Sequence, residues 1–233
     1  MYIMRDLHLS RKIHMYLPKH YEETDVNVLH ALIRAHPLGV WVTHANGELC
    51  VNHIPFLVDQ SRGEHGILVG HVARSNDVYK LFAEPVNCVV IFQGSEGYIT
   101  PSWYPSKHAS GKVVPTWNYA VVHVHGHQPR AIEDRDWLLE HINHLTDTCE
   151  AGQLHPWKVS DAPSEYIERQ ISAIVGIEIP IEKLVGKWKV SQNRTLSDKL
   201  GVIAGLLGCN DTRLKKMAAL VGEHGDIGNH KLL

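Results

Sequence analysis

The chain has 233 residues, a formal charge of −2, 44% hydrophobic and 21% charged residues, a balance that suits a globular body with a sizeable core. No apolar run approaches the roughly 20 residues of a membrane helix, so no membrane association is expected. The near-neutral charge leaves no basic face to grip a phosphate backbone, so direct DNA binding is not expected either.

Residues 1–14 read as a flexible N-terminal extension, without the apolar stretch of a signal peptide, and a cytoplasmic location is expected. The four cysteines (Cys50, Cys88, Cys149, Cys209) form no CxxC pair and fit reduced thiols. Val28, Leu29, Leu32 and Ile33 recur at helical spacing after Thr24 and Asp25, which predicts a helix over 25–36 that Pro37 ends. Strands are predicted at 38–44 and 48–58, joined by Asn46-Gly47, a dipeptide suited to tight hairpins. A third strand follows at 66–72, then a short helical pattern at 77–82. Strands are predicted at 88–92 and 98–103, a loop or irregular helix at 104–117, and a long strand at 118–126.

Helices are expected at 134–148, capped by Asp134, and at 163–172, starting near Asp161 or Ser164. A strand at 173–180 and two short helices at 197–207 and 211–221 complete the chain. Hairpin order with helices at the start and late in the chain predicts a mainly β fold with α decoration (α+β), an antiparallel barrel. Neither GxGxxG nor GxxxxGK[ST] is present, so a nucleotide cofactor would need another kind of site.

Three polar stretches fall in or beside predicted strands. In Val51-Asn52-His53-Ile54-Pro55-Phe56, Pro55 removes a ladder donor and marks an edge or a bulge. Unpaired backbone there can face a planar heterocycle. In Gly70-His71-Val72-Ala73-Arg74-Ser75-Asn76 a strand runs into a turn, offering a guanidinium, a hydroxyl and an amide to a phosphate, or else a plain capping turn. Trp103 and Trp117 flank a proline-bearing loop, where aromatic residues can stack on a ring, fill the core or close an interface. His123, His125 and His127 share one strand face, which raises a metal site as one reading and an ordinary polar face as the other.

Together, segments 15–24, 32–44, 52–56, 70–76, 99–126, 156–168 and 174–194 resemble the PaiB family of FMN-binding negative transcriptional regulators, in order and with little gapping. His127 departs from the family's pattern. The resemblance implies a split β-barrel like that of pyridoxamine-phosphate oxidases, spanning 15–195, with 196–233 as a C-terminal helical tail. It implies a homodimer with flavin mononucleotide (FMN) at the subunit interface. The phosphate would lie at His71, Arg74, Ser75 and Asn76, and the ring along Asn52, His53 and Ile54. The partner subunit would contribute Trp103, Lys107, Trp117 or Asn118, and Lys189, Ser191, Gln192 and Asn193 would close the site. Beside the regulator, two other functions stay open: a flavin-dependent oxidoreductase acting on a small molecule, and a haem- or metal-binding barrel.

Overall fold

The computed structural model describes residues 15–45, 47–83 and 86–224; the 1–14 extension, Asn46 and the end of the tail lie outside them. Helix α1 (Val26–Ala35) starts where Asp25 Oδ1 accepts the Asn27 N–H at 2.8 Å, and it buries Leu29, Leu32 and Ile33. The short β1 (Glu22–Glu23) precedes it. β2 (Leu38–Ala45) and β3 (Glu48–Pro55) form the predicted hairpin, with Gly47 at φ +81° in the turn. β4 (Leu57–Asp59) and β5 (Ile67–Ala73) make a second antiparallel pair.

β6 (Asn87–Ile99) and β7 (Thr116–His127) are long partners, joined through the short helix α2 (Ser106–Ser110). β8 (Arg130–Ile132) leads to α3 (Arg135–Glu150) and α4 (Ser164–Ser172). β9 (Ile174–Lys189), α5 (Leu196–Gly208) and α6 (Thr212–Glu223) follow.

Every strand pairing is antiparallel, and the hydrogen-bonded order is β3-β2-β6-β7-β9-β5-β4, with β1 and β8 also on β9. β9 is the hinge of the barrel. Its first half pairs with β5, from Ala73↔Ile174 to Ile67↔Pro180, and its second half pairs with β7 up to Tyr119↔Lys189. At the other side the chain passes from β3 to β4 through Phe56, which is 1% exposed. The result is a curled sheet open along one seam, filled by Trp41, Phe56, Leu68, Phe92, Val122, Ile177 and Ile179.

Three differences from the sequence expectations have physical causes. The predicted strands at 88–92 and 98–103 are one strand plus a single 3-10 turn. Gln93-Gly94-Ser95-Glu96 looks like a turn, but its extra residue is absorbed in a bulge opposite Val121 and Tyr119. The predicted strand at 173–180 runs on to Lys189. Pro180 sits where β9 changes partner from β5 to β7, so its missing N–H interrupts neither ladder. Helices α5 and α6 join the barrel's own core through Val202, Leu206, Met217, Ala218 and Val221.

Candidate functional site

The first two polar stretches meet at the seam. β3 is the edge strand that Pro55 predicted. Asn76 Nδ2 donates to Asn52 Oδ1 at 2.8 Å, tying β3 to the turn after β5. The Asn76 Oδ1 accepts the Val78 N–H at 3.1 Å and starts a 3-10 helix, while its own N–H donates to Ala73 O at 2.8 Å. Ile54 is a core residue at 5% exposure, so only its backbone is available to a ligand. His53 points to the opposite, outer face and is exposed.

Arg74 is aimed by its neighbours. Its Nε donates to Ser172 O at 3.0 Å, its Nη2 to Ile174 O at 3.2 Å and its Nη1 to Glu133 Oε2 at 2.7 Å. These three bonds leave two of the five guanidinium donors for another acceptor. Ser75 beside it is exposed, and no hydrogen bond of its side chain is found among the described residues. A fixed, incompletely used guanidinium beside a hydroxyl fits an anionic phosphate.

His71 points away from that anion position, toward α3. Its Nδ1 lies 3.0 Å from His141 Nε2, and the His141 ring stacks on Trp137 at 5.4 Å between centroids. Burial pushes the His71 pKa down. Burial, then the charges of His71 and His144, push His141 down to about 4. This pair was not legible in the sequence, since its members stand seventy residues apart.

The third stretch lies elsewhere. Trp103 packs beneath α5 against Gly201 and Gly205, and so acts as an internal contact in its own chain. Lys107 Nζ reaches Ser102 Oγ at 3.4 Å. Trp117 is 53% exposed and meets Tyr98 edge-on at 5.9 Å. Asn118 is 1% exposed and donates from Nδ2 to Ser191 Oγ at 2.9 Å. Gln192 spends its amide on its own turn, donating to Trp188 O and accepting from Val190 N. Lys189 donates to Trp117 O at 2.6 Å and to Thr116 Oγ1; burial, then Lys187 and Arg194, push its pKa down.

The two groups are well separated within one chain. Asn52 shares a cross-strand row with Trp41, Val90 and Val124. Asn118 lies six residues further along β7, roughly 20 Å at the usual rise of a strand. His123 and His125 face outward from β7, His127 Nδ1 lies 2.7 Å from Asn87 Oδ1, and no metal-holding cluster of three ligands occurs among the described residues. Burial, then His125 and Lys187, push the His123 pKa down. All four cysteines are free, and burial pushes the Cys88 thiol up to about 11, which makes it an inert core residue.

An antiparallel sheet curled into two halves that share β9 defines a split barrel, the fold class of flavin-binding proteins. Residues 15–183 match the family described as "Putative FMN-binding domain", and the chain belongs to that family, whose cofactor is FMN. It is similar to an uncharacterized protein of Emericella nidulans, 34% identical over 93% of this chain and 100% of the relative. It is also similar to the protease synthase and sporulation protein PAI 2 of Bacillus subtilis, 29% identical over 89% of this chain and 96% of that one. Among solved structures it resembles the FAD and heme binding protein of Mycobacterium smegmatis, with TM-score 0.52, 16% identity and coverage of 72% and 73% of the two chains. A protein of Bacteroides thetaiotaomicron described as a "putative 5-nitroimidazole antibiotic resistance protein" matches with TM-score 0.51, 12% identity and coverage of 71% and 85%. The last two likenesses are likenesses of fold.

Proposed function

We propose that the protein is a cytoplasmic homodimer that holds FMN between two copies and acts as a PaiB-type negative regulator of transcription through a partner protein. The outer face of the sheet carries this reading. Val51, Val42, Val89 and His125 form one row across four strands, and His53, Val40, Ile91, His123 and Val185 form the next across five. Leu49 at 69% exposure and Val51 at 53% extend this apolar surface to the edge. A largely apolar surface of this kind favours a self-complementary contact with a second copy. Such a contact would set the Trp117 end of one copy beside the Arg74 end of the other, bringing the two separated groups to one ligand.

In this arrangement Arg74 and Ser75 bind the phosphate, while Asn76 and Asn52 hold the seam along which the ring lies. FMN, once bound, supplies the redox chemistry, and the protein supplies position and exclusion of water. The net charge of −2 argues for regulation through a protein partner rather than through DNA contacts. The four free thiols suit a reducing compartment. No helix among the described residues is long and apolar enough to cross a membrane.

Light scattering after gel filtration tests the dimer. Wild type should elute as a dimer and Val51→Lys as a monomer, with FMN binding weakened in step; a monomeric wild type that binds FMN fully would overturn the reading. A flavin oxidoreductase acting on a small molecule is the second reading. It is favoured by Lys189, which donates to the carbonyl of the exposed Trp117 and forms no ion pair among the described residues. Anaerobic reduction of the bound flavin by NADH or NADPH would select it.

A further inference from the structure

Helix α5 carries apolar side chains on both of its sides, and the chain covers only one of them. The inner side is complete. Val202 and Leu206 join the core, Gly201 and Gly205 bear on Trp103, and Asp198 accepts from Ser106 N at 3.1 Å and Ser106 Oγ at 2.8 Å. On the outer side Leu196 is 42% exposed, Leu200 39% and Leu207 52%, with Ile203 half-buried between them. A helix that is apolar all round is normally covered all round.

The order Leu196, Leu200, Ile203, Leu207 alternates steps of four and three residues. At about 100° per residue the four side chains fall within an arc of about 60°. That is the d-a-d-a spacing of a coiled-coil seam, narrower than the face of about 100° or more that a helix turns to a core or lays on a lipid surface. The seam runs for three turns, about 16 Å at the usual rise of a helix.

Cations border this seam, and the neighbouring acids are committed elsewhere. Lys199 stands on its edge, three residues after Leu196 and four before Ile203. α6 packs beside α5 and presents the exposed Lys215. Asp198 is buried on Ser106, and Asp211 pairs with Arg213 at 2.9 Å. Glu223 and Lys216 together line the groove between α6 and α1. A second copy of α5 would bring the same lysines to the same seam, where like charges repel. An acidic helix would meet both the leucines and the lysines.

We propose that the outer side of α5 is a docking seam for an acidic amphipathic helix of a partner protein. Its aliphatic side chains, at the same spacing, pack on Leu196, Leu200, Ile203 and Leu207, and its flanking carboxylates face Lys199 and Lys215. The proposal rests on the reading that the protein regulates through a partner, and it names the surface that the partner uses.

Fluorescence anisotropy tests it, with full-length FMN-loaded protein titrated into a labelled, hydrocarbon-stapled helix bearing leucine at the seam positions and glutamate at the flanks. The same helix with lysine flanks, and a scrambled acidic helix, are the controls. Wild type should bind the acidic helix roughly tenfold or more tightly than either control, and less so as salt is raised. Leu200→Lys and Leu207→Lys should each weaken it roughly tenfold or more, with FMN affinity and thermal midpoint unchanged, because both side chains are exposed. Joint Lys199→Glu and Lys215→Glu should turn the preference toward the lysine-flanked helix.

No binding of the acidic helix by wild type, equal binding of the scrambled helix, or undiminished binding by the leucine variants overturns the proposal. Loss of the dimer in Leu200→Lys, read by light scattering, would give the seam to a second copy. Co-sedimentation of wild type but not Leu200→Lys with vesicles of phosphatidylcholine and phosphatidylserine in equal parts would give it to a lipid surface. Either result also overturns it. Reduction of the bound flavin by NADH or NADPH would remove the regulator reading, and the helix titration would still decide the seam.

Discussion

Gly201→Ala sets two effects of opposite sign against each other. Residue 201 lies inside α5 (Leu196–Gly208), where alanine is favoured over glycine by about 1 kcal/mol. Yet an added Cβ would overlap the carbonyl oxygen of Trp103 and stand 3.0 Å from Pro105 Cδ and 3.2 Å from the Trp103 carbonyl carbon. Backbone cannot turn aside as a flexible side chain can, so α5 must lift off the 3-10 turn that carries Trp103. Overpacking of this sort costs typically 1–3 kcal/mol, and more against main chain. The expected balance is a net destabilisation of about 1–2 kcal/mol. For a chain of this length that lowers the unfolding midpoint by roughly 3–6 °C. Calorimetric unfolding reads it directly, and a single shifted transition is expected because α5 shares the barrel's core. A midpoint equal to or above wild type, or a separate transition for α5 and α6, would refute this packing of Trp103.

Arg74→Ala should weaken FMN by about 1.5–3 kcal/mol and leave riboflavin, which lacks the phosphate, nearly unchanged; flavin fluorescence quenching measures both, and equal losses would refute the phosphate role. His141 has a folded pKa of about 4 against an ordinary 6.5, so the unfolded chain binds its proton first as pH falls. Its contribution is present above pH 6.5 and is lost as pH falls from 6.5 toward 4, at most about 3 kcal/mol over that window. Urea denaturation at several pH values should show the loss, and His141→Phe, which keeps an aromatic ring on Trp137, should flatten it; an unchanged slope in that variant would place the effect elsewhere.

Local patterns in the sequence carried the elements whose causes are local. Asp25 and Asp134 cap the predicted helices, and Asn46-Gly47 marks a hairpin whose Gly47 has the positive φ expected. The seam pairing of Asn52 with Asn76 joins two stretches that each looked like ligand contacts, although nothing local says that they touch each other. Illegible features depend on distant partners. The bulge in β6 needs β7 opposite it, and Pro180 reads as a strand end unless the change of partner in β9 is known. Trp103 reads in sequence as a ring, core or interface residue alike, because the two glycines of α5 that accept it are about a hundred residues away. The burial of Lys187 is equally illegible, since a lysine on a strand is normally solvated.

The dependence of both half-sheets on β9 also sets the order of assembly. Ala73 pairs with Ile174 and Ile67 with Pro180, separations of 101 and 113 residues along the chain (174 − 73 and 180 − 67). Contacts so remote slow folding, because chain entropy is lost before the pairing repays it. On the ribosome, β5 has no partner on that edge until β9 has emerged, well after β2, β3, β6 and β7 can pair among themselves. The early sheet therefore waits with its apolar interior uncovered, an interval in which chaperones or a second nascent copy would find it.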